Sequence, residues 1–225
     1  MNGTLAQTTS KGNCYICGKT LAKTGAKRHL LSHEYIGEKN EACRLIKIED
    51  MYDKDYWLYV DIPFTSTLRS LDSFLRDIWL ECCGHLSAFY VGRYEKVGMN
   101  KKIAMIPDGS VLTYEYDFGS TTELKVSFVG TITRKKQKQA VRLLVRNEAP
   151  QYTCNVCKKT AETICVECIY DVENPFFCEE CAESHCDETE HYMLPIVNSP
   201  RMGVCGYDGA YDTYTFNPDD FKNQK

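Results

Sequence analysis

The sequence lacks any apolar run approaching the roughly 20 residues that cross a bilayer, so no membrane-spanning helix is expected. Its opening, Met1-Asn2-Gly3-Thr4, has no basic patch followed by an apolar stretch, so an export signal is not expected and a cytoplasmic location is. Positive charge is not in excess: the net charge is -4 and the pI about 5.8. That balance disfavours a protein that coats nucleic acid by bulk charge. No Walker loop, dinucleotide fingerprint or His-Glu-x-x-His helix is present, and no sequence repeat or low-complexity tract. Hydrophobic residues make up 43% and charged residues 26% of the chain, which argues against wholesale disorder.

Cysteine, in contrast, is abundant, at 13 residues in a chain with only five histidines. Without an export signal, metal sites are the first expectation and a disulfide framework the second. Residues 154–191 read Cys154-x2-Cys157-x7-Cys165-x2-Cys168-x9-Cys178-x2-Cys181-x3-His185-x5-His191. These eight ligands suffice for two closed tetrahedral sites, and thiolate with imidazole selects zinc over hard ions. Seven residues between the first two pairs leave little room for a zinc ribbon, so an interleaved arrangement is expected. Cys154, Cys157, Cys178 and Cys181 would take one ion, and Cys165, Cys168, His185 and His191 the other, with Cys186 the alternative to His185. The spacing resembles a B-box cross-brace module, although nine residues before the third pair is long for that family. Glu180, Glu183 and Glu190 read as a solvated acidic face rather than as catalytic bases.

Nearer the N-terminus, Cys14-x2-Cys17-x11-His29-x3-His33 resembles a two-Cys-two-His finger, one residue short in its spacer. His29 and His33 would lie one turn apart and face one metal; Cys43 is the alternative to His33. Three structural zinc ions are therefore expected. Lys19, Lys23, Lys27 and Arg28 offer phosphate contact, against the plainer reading of ordinary surface lysines on a small appendage.

Charge divides the chain into residues 1–47, with eight basic and three acidic residues, 48–150, with 14 of each, and 151–225, with five basic and 14 acidic. The expected units are a finger-like module (1–47), a core domain (48–150), a two-zinc module (151–193) and an extended Tyr-rich tail (194–225). In the core, residues 55–64 read as a strand and Ser66–Cys83 as an amphipathic helix, with Thr65 or Ser66 as N-cap, Gly84 as C-cap, and Leu68, Leu71, Leu75, Ile78, Trp79 and Cys82 on one stripe. Strands are expected at Ser87–Tyr94, Val111–Tyr116, Leu124–Thr133 and Val141–Val145. One helix on four or five mostly antiparallel strands is an α+β domain. The basic run at 134–146 reads as an exposed edge strand, with phosphate contact at its first half as the alternative.

Within this core, TLRSLDSFLRDIWLECCGHLSAF (67–89) and YEYDFGSTTEL (114–124) resemble the plasmid open-reading-frame-three-like family, also called the insertion-element TnpR-passenger-like family. The match rests on Trp79, His85-Leu86 and Tyr116-Asp117-Phe118-Gly119, and LPIVNSPRMGVCGYDG (194–209) looks like part of the same extended architecture. The resemblance implies mobile-element ancestry and no defined activity. His85 reads as a structural residue at a helix exit, with a metal ligand or base as the alternative, Cys82 and Cys83 as small buried hydrophobes, Asp117 as a turn cap, and Cys205 as an unassigned thiol. A pocket of His85, Tyr116 and Asp117 is the best enzymatic alternative. The function expected is a non-catalytic, zinc-binding adaptor for a protein partner, with nucleic-acid contact through residues 11–33 and 134–146 as the alternative.

Overall fold

The structure, a computed structural model, describes residues 10–33, 37–188 and 191–221, the side chains of 186–188 excepted. Its centre is β4 (Trp57–Pro63), in which every residue is buried. Successive side chains of a strand point to opposite faces, and here both faces are covered. Leu58, Val60 and Ile62 join the core beneath α2 (Leu68–Leu75), while Trp57 and Tyr59 join a second core beneath α1 (Lys23–Leu31). That double burial is why WLYVDIP reads as a nearly unbroken apolar run.

Around β4 the remaining strands build one nine-stranded antiparallel sheet. They are β1 (Lys11–Cys14), β2 (Thr20–Ala22), β3 (Asn40–Asp50), β5 (Ser87–Val91), β6 (Glu95–Val97), β7 (Val111–Tyr116), β8 (Thr122–Lys135) and β9 (Arg142–Asn147), in the order β2-β1-β9-β4-β3-β8-β7-β5-β6. The class is α+β, as the alternating pattern indicated. The sheet is larger than the four or five strands expected, because the finger hairpin joins it. Gly12 allows this approach: a Cβ there would lie 2.5 Å from the Arg146 carbonyl oxygen and 2.8 Å from the Trp57 ring. Strand β3 begins at Asn40 and runs through position 47 without a break.

Two expectations for the core are corrected. The helix does not reach Cys83. It starts at Leu68 with Thr67 as N-cap, in place of Thr65 or Ser66, and makes no side-chain cap. It then widens into a π-helical turn at Arg76–Leu80, and Glu81 is already extended. The widening places Arg76 against both Asp72 (3.3 Å) and Glu81 (2.7 Å). Gly84 takes φ 78° in the loop beyond, not at the helix end. Nor is β9 an edge strand, since it pairs with both β1 and β4. Its arginines are neutralised internally: Arg142 meets Asp61, and Arg146 meets Asp212 at 2.7 Å. Arg134 at the end of β8 is fully buried between Asp61 and Glu41.

Beyond β9, a second, three-stranded sheet orders β11 (Phe176–Phe177), β10 (Thr163–Cys165) and β12 (Met193–Pro195), with α3 (Glu179–Glu188) beside it. The Tyr56 and Tyr152 hydroxyls, 2.9 Å apart, connect it to the main sheet. The tail then returns to the core. Ser199 donates to the Trp79 carbonyl (2.6 Å), and Asn147 and Asn198 exchange hydrogen bonds. Tyr207 is buried and Tyr214 packs edge-on against Phe74, whereas Tyr211 is exposed. Gly203, at φ 78°, fits tightly over Ile164 and Ile169 of the small module, where a Cβ would collide. Among the described residues no helix is long and apolar enough to cross a membrane.

Asp61 has no exposed side-chain surface and holds two arginines. Removing one partner of a buried ionic group leaves uncompensated charge and costs about 3–5 kcal/mol. Asp61→Ala should lower the urea-unfolding free energy by about that amount; a loss under about 1 kcal/mol would show that Arg134 finds other partners.

Candidate metal centres

Three tetrads bring together the twelve side chains singled out from the sequence. In the first, the β1–β2 turn presents Cys14 and Cys17, and α1 with the turn that follows it presents His29 and His33. Cys14 Sγ lies 3.8 Å from His33 Nε2, Cys17 Sγ 3.4 Å from His29 Nε2, and the two imidazole nitrogens 2.9 Å apart. His33 stays on the helical spiral because its N–H still donates to the Leu30 carbonyl. Cys43 does not take part; it is buried in β3, with its thiol against the Glu41 carbonyl.

The second tetrad is Cys154, Cys157, Cys178 and Cys181, and the third is Cys165, Cys168, His185 and His191. The pairs interleave along the chain, the first with the third and the second with the two histidines. Cys157 and Cys178 sulfurs are 3.5 Å apart. Cys165 Sγ is 3.3 Å from His191 Nδ1, Cys168 Sγ is 3.4 Å from His185 Nε2, and Phe177 stacks on the His185 ring at 4.4 Å. The side chain of Cys186 and the whole of Glu190 lie outside the described residues. Glu180 is exposed and pairs with Lys159 across 3.4 Å, and Glu183 is exposed.

Within each tetrad all donor atoms lie within 4.8 Å of one another. A tetrahedron with metal–sulfur bonds of about 2.3 Å and metal–nitrogen bonds of about 2.0–2.1 Å has edges of roughly 3.3–3.8 Å. Disulfides are excluded by distance, since bonded sulfurs sit about 2.05 Å apart. The electrostatics are those of crowded thiols. Burial pushes Cys14 and Cys168 each up to about 11, and the hydrogen bond with Cys178 helps push Cys181 up to about 12. Cys154 goes the other way. Burial raises it, but the backbone N–H groups of Cys178, Cys157 and Val156 outweigh burial and bring the thiol down to about 6. Burial, aided by neighbouring positive charge, lowers His29 and His33, which favours the neutral imidazole, the form that coordinates metal. A bound divalent cation would offset the burial of the thiols and hold them as thiolates.

A fourth group was not foreseen as a site: Cys82, Cys83, His85 and Cys205 also converge. The reading of the two adjacent cysteines as buried hydrophobes is corrected, because Cys83 is exposed and Cys82 only half-buried. The signal was a Cys-Cys-Gly-His run, but its partner Cys205 lies 120 residues beyond His85. Asp117 does cap its turn, accepting from the Gly119 N–H at 3.0 Å. It also binds Arg201, a fully buried residue of the tail. Of the basic residues offered for phosphate contact, Lys23 is tied to Glu49 (2.7 Å), while Lys19, Lys27 and Arg28 are exposed.

No family model matches the chain. The yippee-like protein PJ691.02 of Schizosaccharomyces pombe (strain 972 / ATCC 24843) is 30% identical over 88 residues, covering 38% of this chain. The chain thus spans 60% of that relative's length. Protein MM3350 of Methanosarcina mazei Go1, of unknown function, superposes with a TM-score of 0.42 at 18% identity, over 47% of this chain and 70% of that one. That likeness is too slight to define the fold.

Shared ligation makes a pairwise prediction. Cys154→Ser and Cys178→Ser should each lose the same metal equivalent, and the double variant should lose no more than either alone. Cys165→Ser should lose a different equivalent, so that Cys154→Ser and Cys165→Ser add. Elemental analysis against protein concentration checks this; additive losses for Cys154 and Cys178 would contradict the interleaving.

Proposed function

We propose that the protein is a zinc-binding, non-catalytic adaptor in which the three tetrads foreseen from the sequence hold structural zinc and shape surfaces for a protein partner. The observation that carries this reading is the completeness of the donor sets. Each tetrad supplies four protein ligands, which fills a tetrahedral zinc and leaves no vertex for water or substrate. Zinc suits them better than calcium or magnesium because the donors are sulfur and imidazole.

The chemistry of the C-terminal module favours a basic partner. Residues 151–225 carry 14 acidic and five basic residues, and Tyr170, Tyr192, Val156 and Val172 stand exposed on that module. Aromatic anchors within a charged rim are the composition of a protein interface. Nucleic-acid contact is the second reading, supported by exposed Lys19, Lys27 and Arg28 and by exposed Lys135, Lys136 and Lys138 at the β8–β9 turn. It has fewer residues to draw on than the sequence offered, because Arg134, Arg142 and Arg146 are engaged with acids inside the fold. The resemblance to the plasmid open-reading-frame-three-like family enters as ancestry alone.

Replacing zinc by cobalt(II) tests the closed sites. Their visible absorption should be that of sulfur-rich tetrahedral cobalt and should not change on titration with azide or cyanide at concentrations that leave the protein folded. A new band on adding azide would place a ligand on an open vertex and revive a catalytic reading. Duplex DNA titrated at stepped salt separates the two binding readings. The adaptor account expects log affinity to fall with log salt no more steeply than about -2, and a slope of about -5 or steeper would assign a phosphate-binding surface.

A further inference from the structure

We propose that Cys82, Cys83, His85 and Cys205 form a fourth metal site, which takes a zinc ion and fastens the C-terminal tail to the exit of the core helix.

The donors have the spacing of the other three tetrads. Cys83 Sγ lies 3.8 Å from Cys82 Sγ, 3.6 Å from Cys205 Sγ and 2.9 Å from His85 Nε2, and His85 Nε2 lies 3.2 Å from Cys205 Sγ. All four donors fall within 4.8 Å of one another. Three thiols and an imidazole are a soft donor set, suited to the same ion.

Two further observations are independent of those distances. The first is backbone shape. In the finger, Gly18 follows Cys17 with φ 74° and donates to the Cys14 carbonyl; in the small module, Lys158 follows Cys157 with φ 63° and donates to the Cys154 carbonyl. A left-handed residue directly after the cysteine closes these two knuckles, while Cys165–Cys168 and Cys178–Cys181 do without it. The left-handed residue after the cysteine recurs here, although Gly84 donates its N–H to the Glu81 carboxylate rather than to a ligand carbonyl: Gly84 follows Cys83 with φ 78°, and Gly206 follows Cys205 with φ 67°, Cys205 itself standing at φ 51°. A cysteine rarely adopts that conformation without something holding it there.

The second is the support behind the histidine. His85 turns Nε2 toward the sulfurs and Nδ1 toward Asp117 Oδ1, 3.5 Å away. Asp117 is fixed by Arg201 at 2.7 Å, and Arg201 also donates to the Ser120 carbonyl and Thr122 hydroxyl. A carboxylate behind a metal-bound imidazole orients the ring and raises its donor strength. Because Arg201 and Cys205 belong to the same turn of the tail, the tail supplies both a ligand and the residue that braces the support. Closing a loop of this length removes much chain entropy, as a long-range cross-link does.

This site has two donors open to solvent, Cys83 and Cys205, where the first two tetrads have one each, Cys17 and Cys157. That permits a test on the unaltered chain. With reductant present, N-ethylmaleimide should label Cys83 and Cys205 slowly in the metal-loaded protein and at least about ten-fold faster after chelator, because the metal-bound thiolate is a poor nucleophile. Cys205→Ala should bind one metal equivalent fewer than the wild type, keep the equivalents assigned to the other tetrads, and be cut sooner by protease within residues 202–217. Rapid labelling that chelator does not change, or equal metal content in Cys205→Ala and wild type, would overturn the site, as would a Cys83–Cys205 disulfide in material purified without reductant. Loss of metal from the other tetrads would not mimic these results, because the difference between the variant and the wild type counts this site alone.

Discussion

Crowded thiols set the terms for this molecule. The thiols of a tetrad whose donors lie within 4.8 Å of one another cannot all ionise unless a cation sits among them, and protonated they are poorly matched neighbours. The small module depends on this most. Besides its donor cysteines it buries few apolar residues, Ala161, Ile164, Phe177, Ala182 and Leu194. Such a core cannot hold three short strands together without cross-links. The nine-stranded sheet has the opposite character, with cores on both faces and buried ion pairs at Asp61.

The tetrads also decide how the parts join. The finger is a tributary of the main sheet: β1 pairs with β9, and Cys14 belongs to the same buried cluster as Trp57 and Tyr59. A metal there would fix the last strands of the sheet as well as the finger helix. At the other end, the tail crosses from the small module to the core through Ser199, Arg201 and Tyr207, each almost fully buried. The chain is thus tied at several points by contacts that are distant in sequence, and the modules are not beads on a string.

What the sequence disclosed follows the range of each interaction. Cys-x2-Cys knuckles and the His29–His33 pair are local, so their spacing alone grouped twelve donors, including the interleaving of residues 154–191. The buried stripe from Leu68 to Trp79 was equally legible from its period. Long-range partners were not. Nothing near Arg142 or Arg146 announces Asp61 or Asp212, so a strand paired on both sides looked like a charged edge. Cys82 and Cys83 sit where an ideal helix would continue, and only the π-helical turn ending at Leu80 frees them. Cys205 and Arg201 gain meaning only once the tail has folded back.

The central claim is that these cysteines and histidines enclose zinc completely. Zinc-edge X-ray absorption of the protein as purified addresses it directly. The account predicts a four-coordinate first shell dominated by sulfur at about 2.3 Å, completed by imidazole nitrogen at about 2.0–2.1 Å. A shell with oxygen scatterers, more than four ligands, or too little sulfur for these tetrads would contradict it.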